Sequence, residues 1–97
     1  MGGLWVDVES GRAGYGSRVL PLSPQEVALL AAFAEAGDRV VPRAELIRRA
    51  GLTGSSPRRC EALLVGLRRA LEDGAIANVR GRGWRCLEEL AVVGRPT

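Results

Sequence analysis

A six-residue turn, LTGSSP at 52–57, joins two stretches of helical periodicity, and a glycine-pivoted pair of short apolar runs, IANVRGRGWRCL at 76–87, follows the second. Two helices meeting at a short turn, with a hairpin behind them, can bury their apolar faces in few ways. The order predicts a helix-turn-helix with the hairpin beside the second helix as a wing. The expected class is therefore α+β: a winged helix-turn-helix with N-terminal antiparallel strands, a three-helix core and a C-terminal β-hairpin wing.

The other elements fit around that unit. LWVDVES at 4–10 alternates partially and reads as a strand; GRAGYGSRVLPL adds a glycine-rich turn holding Tyr15 and a short strand through Val19 and Leu20. Strands this short are unstable alone and must pack on something. In SPQEVALLAAFAEAG, Ser23 is an N-cap, Pro24 takes the first helical position and Glu26 completes a capping box. Gly37 stops that helix. Val27, Leu30, Ala31 and Ala34 form its stripe, with Leu29 and Phe33 beside it. Val40 and Val41 form a brief β-like pair before a short helix over 42–50, whose Leu46, Ile47 and Ala50 face inward and which Gly51 ends. Ser56 caps and Pro57 starts a third helix over 57–72, with Gly74 as its terminator. Residues 88–97 read as a frayed or loosely docked tail. The core then spans about 4–87 of a single 97-residue domain.

Composition excludes several classes. No apolar run approaches a membrane span, and the N-terminus lacks the basic-then-apolar order of a signal peptide; a cytoplasmic protein is the expectation. There is no histidine, and the two cysteines, Cys60 and Cys86, form no CxxC pair. They read as reduced, half-buried thiols, with no metal site and no cofactor. The chain shows no paired carboxylates on one face, no nucleophile with a base and no phosphate-binding glycine loop, so no enzyme activity is expected.

The charge is uneven. Residues 40–85 hold ten arginines and four acids, a net of +6, and the remainder holds four arginines and seven acids, a net of −3, giving the overall +3. A basic half set against an acidic one is the footprint of a polyanion binder. Every cation is arginine, whose planar fork suits phosphates and guanine edges.

At 100° per residue the third helix puts Cys60, Leu63, Leu64, Leu67 and Leu71 on a core face. Arg58, Ala62, Val65, Gly66 and Arg69 lie opposite, with Arg68, Glu61 and Glu72 on one flank and Arg59 on the other. In a helix-turn-helix that outward face enters the major groove, where Ala62 and Val65 suit thymine methyls. Arg80 and Arg82 on the hairpin are candidates for a minor groove. Trp84 reads first as core, with an edge toward nucleic acid.

Taken together, LPLSPQEVALLAAFAEAGDRVVPRAELIRRA, RRCEALLVGLRRALED and IANVRGRGWRCL resemble the effector domain of OmpR/PhoB-type response regulators over about 4–87. The ordered pair LRRALE and VRGRGW carries most of the resemblance. It implies sequence-specific binding of double-stranded DNA by a transcription regulator, often as two copies in tandem. RNA polymerase and a receiver domain are its further implied partners. By position, Arg58 resembles the phosphate contact at the recognition-helix start and Arg68 a base or phosphate contact. Asn78 and Arg80 resemble the wing contacts, and Trp84 replaces a usual tyrosine. Val65 and Gly66 depart from the pattern, standing where polar or basic residues are usual. A competing reading follows from them: a winged helix whose Ala62–Val65–Gly66 stripe docks a partner protein.

Overall fold

The first helix begins where its capping residues say it should. In the computed structural model, which describes residues 3–54, 56–72 and 74–93, α1 runs Pro24–Ala36. The Ser23 hydroxyl accepts from the Glu26 amide at 3.2 Å and the Glu26 carboxylate accepts from the Ser23 amide at 2.8 Å. Both reciprocal bonds of a capping box are therefore made. Gly37 ends the helix at φ +67°. Val27, Leu29, Leu30, Ala32 and Phe33 are buried, while Ala31 and Ala34 are only partly so. The buried arc is wider than the expected stripe because α1 is covered on more than one side. It packs on α2 (Arg43–Arg49), α3 (Pro57–Ala70) and the N-terminal sheet.

That sheet holds β1 (Leu4–Asp7), β2 (Arg12–Tyr15) and β3 (Arg18–Val19), antiparallel in sequence order as expected. The tail is not loose. Residues Leu90–Val93 form β6, parallel to β1 in the register Leu4↔Leu90 to Asp7↔Val93, giving the order β3-β2-β1-β6. Leu90 and Val92 pack against the core while Ala91 and Val93 are exposed, the alternation in burial of a half-buried strand. The last residues of the expected tail, 94–97, lie outside the described residues.

Helix α3 is shorter than the expected 57–72. Leu71 closes it in an extended conformation (φ −88°, ψ 170°), its side chain buried. The next amide, Glu72 N–H, donates to the Tyr15 hydroxyl at 3.1 Å. A tertiary partner thus takes the amide that would have continued the helix, so Leu71 and not Gly74 is the stop. Ser56 occupies the N-cap of α3 without a side-chain capping bond, and Pro57 fills the first turn.

The wing is β4 (Ile76–Val79) and β5 (Gly83–Cys86), paired from Ile76↔Cys86 to Val79↔Gly83. Arg82 N–H donates to Val79 O at 2.9 Å, and Gly81 sits at φ +75°, the sign a type II turn demands at its third position. Val41 pairs with Trp84 through two backbone bonds of 2.7 and 3.0 Å, so the segment before α2 borders the wing sheet. Gly83 lies under that segment: a Cβ there would stand 2.2 Å from Val41 O.

Candidate nucleic-acid interface

The core face of α3 is as expected. Cys60, Leu64, Leu67 and Leu71 are buried, and Leu63 is partly buried. Both thiols are buried outright rather than half-buried, Cys60 at 0% and Cys86 at 5% exposure. Burial pushes both thiols above their ordinary pKa.

The outward face differs from expectation at one position. Arg58, Ala62, Val65 and Arg69 are exposed, as is Arg68. Gly66 is not: a Cβ there would meet Glu26 Oε2 at 2.4 Å. The carboxylate that completes the α1 capping box lies over Gly66, so the glycine belongs to the α1–α3 contact. This accounts for a residue that costs about 1 kcal/mol in a helix relative to alanine. It also removes Gly66 from the stripe assigned above to a docking partner.

Four arginines have an acidic or amide partner within the protein, and Arg12, Arg18, Arg48 and Arg85, away from α3 and the wing turn, are exposed without an ion pair among the described residues. Arg39 pairs with Glu45 at 3.0 Å, Arg49 with Glu45 at 3.1 Å and with Glu35, and Arg43 with Glu61. Arg59 donates to Gln25 at 2.6 Å, which turns it toward α1. By contrast, Arg58, Arg68 and Arg69 on α3, and Arg80 and Arg82 at the wing turn, are exposed and make no ion pair among the described residues.

A crevice between α3 and the wing brings together Glu61, Leu64, Val65, Arg68, Asn78 and Trp84. A second groove, on the wing, is lined by Arg43, Asn78, Val79, Gly81, Arg82, Gly83 and Trp84. Arg68 and Arg69 also border an open depression reaching Ala75 and Ile76. Of the residues singled out from the sequence, Val65, Arg68, Asn78 and Trp84 therefore meet in one place, and Arg82 joins Asn78 and Trp84 in the next groove. Arg58, Ala62 and Arg80 are exposed outside these grooves. Trp84, 9% exposed, is chiefly a core residue whose ring closes both.

Two residues escaped sequence reading. Arg43 pairs with Glu61, and its guanidinium lies 5.7 Å from the centroid of the Trp84 ring. Tyr15 accepts from Glu72 N–H and donates to Glu88 at 3.2 Å. These contacts span 18 to 73 residues of chain, and no local pattern announces them.

The family model described as "Transcriptional regulatory protein, C terminal" matches residues 17–86. No curated protein matches the chain by sequence. Among solved structures, the DNA-binding domain of the response regulator AdeR, in complex with an intercistronic region, is 21% identical. It superposes with a TM-score of 0.77 over 89% of this chain and 94% of that one. The DNA-binding domain of CadC from E. coli is 22% identical, with a TM-score of 0.75 over 91% and 94%. A streptococcal structure described as a redox sensor evolved from two-component response regulators is 25% identical at TM-score 0.75. The match covers 89% of this chain and 40% of that one. The fold is the winged helix of these domains.

Proposed function

The chain belongs to the transcriptional regulatory protein C-terminal family, the DNA-binding effector domains of OmpR/PhoB-type response regulators, and we propose that it reads its site with α3 in the major groove and the wing in the adjacent minor groove. One observation carries this reading. Arg58, Arg68, Arg69, Arg80 and Arg82 are gathered, exposed, on α3 and the wing turn with no acidic partner among the described residues. Cations left side by side without counter-charges are stabilised when phosphates supply them.

The roles divide by position. Arg58, at the N-terminus of α3, meets phosphate, which the helix dipole also favours. Arg68 and Arg69 reach base edges or phosphate farther along the helix. Ala62 and Val65 contact thymine methyls, the apolar half of the major-groove code. Arg80 enters the minor groove from the wing, with Asn78 and Arg82 on its flanking phosphates. Arg59 contributes charge at the rim, and Trp84 supports the floor. The AdeR domain, solved with an intercistronic region, supports a DNA partner. RNA polymerase at the 51–56 turn, a receiver domain, and a second copy in tandem are the further partners of this reading. It places the protein in the cytoplasm and gives it no catalytic role.

The test is selection of this chain against random duplexes followed by sequencing. Enrichment of one motif, in direct repeats for tandem binding, is expected. With Arg58, Arg68, Arg69, Arg80 and Arg82 all neutralising phosphate charge, the slope of log K against log salt reaches about −4.5. Binding without any enriched motif would reduce the interface to backbone electrostatics and overturn sequence-specific recognition.

A further inference from the structure

We propose that Arg43 is a positioning residue that sets α3 and the wing relative to one another and neutralises a carboxylate, Glu61, on the face that meets DNA; this rests on the duplex-binding reading above. Arg43 opens α2, outside both DNA-contacting elements. Its guanidinium nevertheless reaches both. It pairs with Glu61 on α3 and lies over the ring of Trp84 on β5. Its backbone neighbourhood is fixed by the Val41–Trp84 bridge two residues earlier, and Gly83 lets that segment sit directly on the wing. Arg43 is therefore anchored to the wing by main chain and tied to α3 by charge.

Glu61 explains why the tie matters. It lines the α3–wing crevice with Val65, Arg68, Asn78 and Trp84. It stands four residues before Val65 and seven before Arg68, on their side of the helix. A free carboxylate there would repel phosphates and attract Arg68 out of its reading position. Arg43 occupies that carboxylate. Both side chains are about half exposed, 47% and 50%. An exposed ion pair contributes little to folding, so its effect belongs in recognition. A guanidinium, unlike an ammonium, can pair in its plane and stack on an aromatic face at once.

The experiment is a double-mutant cycle on the full chain, read as Kd for the duplex that selection enriches, with urea unfolding of every variant. Arg43→Ala is expected to weaken binding about tenfold, yet cost no more than about threefold when Glu61→Gln is already present. Arg43→Lys, which keeps charge but not the planar stack, is expected to fall between Arg43→Ala and the unaltered chain. Urea midpoints should differ little. Equal losses in both backgrounds would make Arg43 a direct phosphate contact and overturn the inference. A lowered urea midpoint with unchanged affinity of the folded fraction would reduce Arg43 to a stabilising residue and overturn it equally. If the unaltered chain enriches no duplex, the binding reading itself falls, and this one with it.

Discussion

At the scale of single residues, the interface depends on which arginines are already engaged within the protein. Arg68 borders the crevice between helix and wing without an ion pair among the described residues. Arg68→Ala should cost about 1–3 kcal/mol of binding on the enriched site and far less on unrelated sequences, if it reads a base. A phosphate role would instead lower affinity evenly and flatten the salt slope by about one unit. Arg80→Ala should weaken binding and relax any A·T preference in the minor groove, measured by repeating the selection with the variant. The thiols give a pH prediction. Burial holds Cys60 and Cys86 above the ordinary thiol pKa, so above about pH 8.5 the unfolded chain ionises first. The stability these neutral thiols contribute is complete below that pH and is lost as pH rises through their folded pKa values. Ellman's reagent should react with them slowly in the native protein at pH 7.5 and fully in urea.

At the scale of elements, two glycines that look alike in sequence have opposite consequences. Gly83 is at φ +146°, and its Cβ would meet the main chain of Val41 at 2.2 and 2.7 Å. Main chain bound into the Val41–Trp84 bridge cannot step aside, so Gly83→Ala should destabilise by roughly 2–5 kcal/mol. Gly66 has no such φ, and its obstacle is the end of the Glu26 side chain. Gly66→Ala gains about 1 kcal/mol of helix propensity and loses about as much capping. Its net change, by the same urea titration, should lie within about 1 kcal/mol of zero.

At the scale of the molecule, the N-terminal sheet is completed from the far end of the chain. The parallel pairing of β6 with β1 closes one edge of β1 and brings Leu90 and Val92 onto the core. Tyr15 strengthens the same closure by joining β2 to Glu88 and to the amide after α3. Ending the chain after Leu87 removes β6 and the Tyr15–Glu88 bond. It should cost about 2–4 kcal/mol by urea unfolding, whereas a loose tail would be removed at no cost.

The sequence by itself determined the elements whose signals are local. Ser23, Pro24 and Glu26 specified the start of α1, the spacing of Cys60, Leu64, Leu67 and Leu71 specified the buried side of α3, and Gly81 between two apolar runs specified the wing. Helix caps, 3.6-residue periodicity and turn glycines act over a few residues, so a single chain displays them. The candidate interface was legible in part: the exposed arginines of α3 followed from helical periodicity and those of the wing from the glycine turn, whereas Asn78 entered only through the family resemblance. Tertiary structure decided what distance in the chain conceals. It turned Gly66 under Glu26, took the Glu72 amide for Tyr15, laid 90–93 beside β1, and separated arginines that pair within the protein from those without an ion pair among the described residues. Those outcomes depend on which elements meet, and an acid and a base 18 residues apart carry no mark of their meeting until the fold has closed.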